Sequence, residues 1–313
     1  MSALLAIGLV AGCGSDDASS TSGSPRIVTT TSVLGDVVED VVADDASVDV
    51  LMPIGADPHD FALSARQAAE LADADLIVAS GLGFEAGLTD AIVEAEDTGV
   101  PVLRLGEDLD PLPLDGEEDH GAWEGHDDAE HDHGALDPHW FTDPVRMADA
   151  AVLIGDAVVE QTETAEVAAT IEGRAAGVAE ELRALDREVR TILDPIDPED
   201  RRIVTDHEVF GYFAGRYDLA VAGVLVPGGT TLAETTPNAL SELVDIIEDL
   251  EHPAVFVTSP APAELAEALA DELDRPVEVV PLFAESLGPP GSDGDTYPSM
   301  IRADADRIAA ALT

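Results

Sequence analysis

Two short stretches of this chain, DPHDF beginning at Asp57 and DPHWF beginning at Asp137, share the pattern Asp-Pro-His-x-Phe. Their flanks do not match, so a structural repeat does not explain them. Two loops with the same chemical task need only these five residues. Proline fixes its own φ and pushes the aspartate before it toward extended geometry. Each histidine is thus presented from a stiff loop at low entropic cost, with a neighbouring carboxylate placed to accept the free ring N–H, fix the tautomer and raise ligand basicity. A third histidine, His207, follows the strand-like run RRIVTDH. One such histidine alone would more often be a solvated or capped residue. Three of them, His59, His139 and His207, point to one borderline divalent cation, for which zinc is the usual choice. A closed site needs a fourth ligand, and Glu285 in LFAESLGPPG, also past a strand pattern, is the candidate. The other five histidines differ: His252 precedes Pro253 at a helix end, while His120, His126, His131 and His133 lie in a tract dense in carboxylates.

The elements that must present these residues alternate. RIVTTTSVLGDVVEDVV reads as strand then helix, VDVLMPIG as a strand, and SARQAAELADA as a helix capped by Ser64. DLIVASG, EAGLTDAIVEAE and PVLRLG continue the order strand, helix, strand. From 107 to 134 no apolar period survives, which marks a long exposed loop. Two helices follow, the second a proline-free run of about thirty residues ended by Pro195 and Pro198. The strand–helix alternation then resumes to the end. Fold class is therefore α/β: two similar α/β domains with mainly parallel sheets, joined by one long rigid helix, the metal site in the cleft between them. The expected division is 1–25 for a signal and flexible tether, 26–160 for an N-terminal domain carrying the 107–134 loop, 161–195 for the linking helix, and 196–313 for a C-terminal domain. The three key histidines and Glu285 fall at strand ends or in short loops, where open α/β sheets bind ligands.

Composition narrows the function. The chain has 313 residues, 45% hydrophobic, which is globular and not disordered. Its formal net charge is −52, from 66 acidic residues against 14 basic ones, all arginine. Such a surface repels nucleic acid phosphates and anionic lipid headgroups and attracts cations only diffusely. The one cysteine, Cys13, excludes an internal disulfide and a thiolate metal cluster. It ends a short apolar run, Ala3 to Ala11, too short to span a bilayer, and a Ser/Asp/Gly/Thr tract follows. This resembles a bacterial lipoprotein signal with the lipobox Val10-Ala11-Gly12-Cys13, although no positive segment precedes it. Lipidated Cys13 would anchor the protein outside the cytoplasmic membrane, and residues 14–25 would be the tether.

PIGADPHDF, LDPHWFTDP, VTDHEVFGYFAGRYDL and LFAESLGPPGSDGDTYPSMIR, in this order and spacing, resemble the zinc- or manganese-binding solute receptors of ATP-binding-cassette importers. The likeness runs from Arg26 to Thr313. It implies a binding protein and not an enzyme, with a cognate permease and its ATPase as partners, acting as a monomer. It implies His59, His139, His207 and Glu285 as ligands of a transported Zn2+, with Mn2+ as the alternative. Histidine at 207 is similar to the zinc receptors, a carboxylate there to the manganese ones. The fourth ligand is commonly aspartate in the family, so Glu285 departs from the pattern, as does PGGTTLAETTPNAL. The four histidines at 120, 126, 131 and 133 resemble the family's His-rich insert, which would trap metal weakly near the cleft. A zinc hydrolase is the competing class, with Glu208 beside His207 to activate water, but no HExxH helix is present. An adhesin or other surface interaction protein is a third reading. The glycine-rich SGLGF and GPPGSDG have neither the P-loop lysine nor dinucleotide-binding spacing and read as turns.

Overall fold

The computed structural model describes residues 24–114, 136–228, 230–231, 235–259, 264–273 and 275–313. The first half builds a four-stranded parallel sheet from β1 (Arg26–Thr29), β2 (Ser47–Val50), β3 (Leu76–Ala79) and β4 (Val102–Arg104), in the order β2-β1-β3-β4. Helices α1 (Ser32–Val42), α2 (Ala65–Ala72) and α3 (Thr89–Asp97) make the crossovers. After α4 (Pro144–Val159) and α5 (Ala165–Leu193), the second half repeats the plan. Its strands are β5 (Arg202–Thr205), β6 (Ala220–Val224), β7 (Ala254–Ser259) and β8 (Glu278–Phe283), all parallel, in the order β6-β5-β7-β8. The helices α6 (Gly211–Tyr217), α7 (Pro237–Glu248), α8 (Glu264–Glu272) and α9 (Tyr297–Ala311) accompany them. In both sheets the first strand is flanked by the second and third. The chain therefore switches direction beside that strand and opens a crevice at the carboxyl ends.

Local chemistry sets the boundaries. Ser64 caps α2 reciprocally with Gln67, and Thr164 accepts the Val167 N–H at the start of α5. The strand at 47–50 is shorter than VDVLMPIG suggested. Leu51 and Met52 still donate to Thr29 and Thr30, but Pro53 has no N–H to continue the ladder. At its far end α5 is capped by Arg201, whose guanidinium donates to the carbonyls of Leu193 and Ile196.

The long helix is more than a spacer. Its 29 residues give about 44 Å of length at ~1.5 Å per residue. The buried positions Ile171, Ala175, Ala179, Leu182, Leu185, Val189 and Leu193 recur every three or four residues and form one stripe. That stripe packs with α1, α4 and α9 in a single hydrophobic core, which also takes in Ile27 and Val78 from the first sheet and Ile203, Phe256 and Leu282 from the second. Gly155 allows α4 to approach α5 this closely, since a Cβ there would sit 2.6 Å from that of Ala175. The outer faces of the sheets carry separate small cores, one under α2 and α3, the other under α7 and α8. Among the described residues no helix is long and apolar enough to cross a membrane.

A continuous core predicts cooperative unfolding. Leu182→Ala empties a site in the shared core and should cost about 2–5 kcal/mol. Denaturant unfolding should keep a single transition at a lower midpoint. Two separated transitions, with only one moved, would show that the halves do not share their stability.

Candidate metal centre

Four buried side chains from four loops meet between the sheets. His59 lies in the loop after β2, His139 in the segment between β4 and α4, His207 just after β5, and Glu285 just after β8. Their exposures are 8%, 0%, 1% and 2%. One ligand atom from each lies within 4.8 Å of all the others. Glu285 Oε1 is 2.7 Å from His59 Nε2, 3.4 Å from His207 Nε2 and 3.6 Å from His139 Nε2. Atoms ~2.1 Å from a tetrahedral zinc stand about 3.4 Å apart, so the cluster has the dimensions of one shared ion. The three Nε2 atoms and both Glu285 oxygens are buried without a well-formed hydrogen-bond partner among the described residues. Buried polar atoms left in that state are costly, and a cation at their centre would satisfy them together.

Each loop is braced differently. Asp137 Oδ1 accepts the His139 backbone N–H at 2.9 Å and lies 2.8 Å from its Nδ1. The proton therefore belongs on Nδ1, which leaves Nε2 free to bind. Gly211 makes room for that carboxylate, as a Cβ there would meet Asp137 Oδ2 at 2.7 Å. The first Asp-Pro-His loop departs from this arrangement. Asp57 binds the backbone N–H of His59, not its ring, and its other oxygen accepts the Thr231 hydroxyl at 2.7 Å. The ring partner of His207 is Asp206, at 3.1 Å, itself held by the Thr258 amide and hydroxyl at 2.8 and 2.6 Å. Asp206 lacks the proline-stiffened pattern that marks Asp57 and Asp137 in the sequence. The adjacent Asp-His pair was the available signal.

SGLGF is a turn, with Gly81 and Gly83 at φ of 83° and 78°, but it also carries part of the site. Phe84 lies edge-on to His59 and His139, with centroids 5.3 and 5.6 Å away, and Phe141 packs on Phe84 at 5.0 Å. These rings keep the cluster dry on its N-terminal side and so strengthen its electrostatics. Beside Phe84, Glu85 accepts from the Thr30 hydroxyl and the Ser80 amide, both at 2.6 Å, and burial raises its pKa. It braces the turn and does not face the cluster. Trp140 ties the His139 loop to the SGLGF turn by donating to the Ser80 carbonyl at 3.1 Å.

Protonation in the cluster is coupled. Burial opposes charging of His207, but contacts with Asp206 and Glu285 outweigh it and push its pKa up to about 10. His139 is likewise raised against burial by Asp137 and Glu285. Burial works to raise Glu285, yet the three histidines hold it well below the usual carboxylate range. Without a cation, then, the cluster keeps an ion pair of Glu285 with a protonated imidazole.

Of the other candidates, His252 lies apart from the cluster, 4.0 Å from Asp200. Cys13 and the histidines at 120, 126, 131 and 133 lie outside the described residues.

Comparison with known proteins follows the same lines. The family described as zinc-uptake complex component A, periplasmic (ZnuA), matches residues 27–311. The manganese-binding lipoprotein MntA of Halalkalibacterium halodurans is 28% identical over 309 residues, covering 97% of this chain and 95% of the relative. The zinc-binding protein TroA of Treponema pallidum is 30% identical over 328 residues, covering 99% and 96%. A solved structure of the periplasmic zinc-binding protein TroA from that organism superposes with a TM-score of 0.81 at 26% identity, covering 93% of this chain and all of the other.

A cation taking these four atoms must displace the proton that His207 holds through neutral pH. Apparent affinity should therefore fall with falling pH, by about tenfold per unit for one displaced proton. Where His139, itself raised above the ordinary imidazole value, also charges, the fall should steepen. Competition titrations at stepped pH between 8 and 5 check this, and a flat profile would count against a three-imidazole site.

Proposed function

We propose, from the premise that this chain belongs to the zinc-uptake complex component A family, that it is an extracytoplasmic receptor that captures Zn2+ and delivers it to an importer. One observation carries this reading: His59, His139, His207 and Glu285 direct buried, unsatisfied ligand atoms at a common point between the two halves. Three imidazoles and one carboxylate suit zinc, whose closed sites are four-coordinate. Such a site has no open position for water activation, and this favours capture over hydrolysis.

Zinc here is cargo. His59 and His139 come from the N-terminal half, and His207 and Glu285 from the C-terminal half, so the ion joins the two and its binding energy biases them toward the closed arrangement. The motion should be small, because α5 is packed along its length in the shared core. The cognate permease, driven by its ATPase, would receive the ion when docking parts the halves. The lipobox at Val10-Ala11-Gly12-Cys13 supports anchoring by lipid outside the cytoplasmic membrane, and the proposed receptor acts as a monomer. The proposed division is a tether to residue 25, an N-terminal domain over 26–160, the linking helix over 161–195 and a C-terminal domain over 196–313.

Manganese is the second reading, favoured by the relatives named for it. Manganese prefers oxygen-rich, higher-coordinate sites, so the balance rests on whether Glu285 binds through one oxygen or two. Calorimetric titration of metal-stripped protein with zinc and manganese in competition decides between them. Tight manganese binding with weak zinc binding would overturn the zinc assignment.

His139→Ala removes a ligand braced by Asp137 and should weaken zinc binding by at least ~100-fold, beyond the cost of losing an outer partner. Deleting residues 119–134 should leave tight binding in place, because no residue of that stretch is among the four. Equilibrium competition with a chelator measures both. The reverse pattern would move the tight site into the deleted stretch.

A further inference from the structure

The two edges of the cleft are not built alike. Helix α6 begins just after His207 and turns two side chains, Tyr212 and Arg216, toward the other half. They are four residues apart and so share one face. The Tyr212 hydroxyl donates to the Asp137 carbonyl at 2.8 Å and accepts the Leu112 amide at 2.9 Å. Its ring lies 4.8 Å from the Arg146 guanidinium. Arg216 donates from Nε and Nη2 to both oxygens of Asp143, at 2.9 to 3.1 Å. Asp143 is 2% exposed and also caps α4 through the Val145 amide. Asp137 and Asp143 bracket His139, so the loop carrying an N-terminal ligand is held at both ends by a helix of the C-terminal half. Between them, the Phe141 carbonyl accepts the Tyr297 hydroxyl of α9 at 2.8 Å.

The opposite edge, at His59 and Glu285, is joined chiefly by neutral groups. Ser286 Oγ accepts the Gly55 amide at 2.8 Å and lies 3.3 Å from Ser32 Oγ, which accepts the Leu287 amide at 3.1 Å. Among the described residues two carboxylates also take part there, each with one neutral donor: Asp57 accepts the Thr231 hydroxyl and Asp36 the Tyr297 amide, both at 2.7 Å, and neither makes the two-pronged arginine pair of the α6 edge. Charge-assisted, bidentate hydrogen bonds are roughly twice as strong as neutral ones.

Resting on the reading of the four side chains as a cation site, we propose that Tyr212 and Arg216 are positioning residues. They make α6 the fixed edge of the cleft, holding His139 beside His207 before any ion arrives, and leave the His59–Glu285 edge as the one that yields to admit and release it. Half of the coordination shell is then preorganised, and binding costs only the ordering of the other half.

Hydrogen exchange and metal titration on the intact chain test this. In metal-free protein, amides 137–143 should be protected while 53–59 and 284–288 exchange faster, and zinc should protect the latter two. Arg216→Met should raise exchange at 137–143 and weaken zinc binding by about tenfold, the low end for an outer-shell partner. The Co2+ visible spectrum should be unchanged, because all four ligands remain. Arg216→Lys should recover little, since an ammonium cannot form the bidentate pair. Arg302→Met, which breaks an exposed pair with Glu188, should change none of these. If Arg216→Met does not fold, Tyr212→Phe, which keeps the ring, carries the test with the same direction and a smaller loss. Equal exchange at the two edges in the metal-free protein, or unchanged zinc affinity in a folded Arg216→Met, overturns the proposal. If the wild-type chain binds neither zinc nor Co2+, the cation reading fails, and exchange at 137–143 still decides the role of α6.

Discussion

The structure depends on the cost of leaving five polar atoms, three imidazole nitrogens and two carboxylate oxygens, buried at one point without good partners. Hydrogen bonds would normally remove that cost. Here the protein withholds them, bracing the far side of His139 and His207 with Asp137 and Asp206 and leaving the near side to an ion. The carboxylate of Glu285 is held depressed and His207 raised, each in part by the other's charge, so the two favour an ion pair with the proton on the imidazole. A divalent cation competes with that proton on favourable terms because it meets all the ligands at once.

Placing the four atoms requires two sheets whose carboxyl ends face each other. Each half supplies two loops, and the core shared by α1, α4, α5 and α9 sets the distance between them. This core explains why a site divided between two halves can be built to ångström tolerance. A flexible linker would spread the ligands over many arrangements and add an ordering cost to every binding event. The aromatic wall of Phe84 and Phe141 completes the arrangement by drying one side of the cluster.

Much of this was legible in the residues. The alternation of β-branched runs with helical spacing reads directly as parallel strands and crossover helices, because the periods differ. The repeated Asp-Pro-His pattern marks two loops by their chemistry, and the structure brings both, with His207 and Glu285, to one place. The roles inside the two loops were not legible. In one the aspartate holds the ring, and in the other it holds the backbone and reaches Thr231 across the cleft. Two copies of one Asp-Pro-His pattern diverge because the partners of a carboxylate are set by what lies opposite it, and this is not local information.

By itself, then, the sequence determined which residue types could bind a cation, that they sit at the ends of strands, and that the surface is strongly acidic. It also determined that one long helix lies between two alternating halves. Only the tertiary structure decided that this helix is embedded in a common core, that Asp206 and Phe84 belong to the surroundings of the site, and that α6 reaches across to hold Asp137 and Asp143. The physical reason is range. Backbone geometry and hydrophobic period act over a few residues and are written along the chain, whereas the packing and hydrogen bonding that aim a side chain come from segments tens to hundreds of positions away.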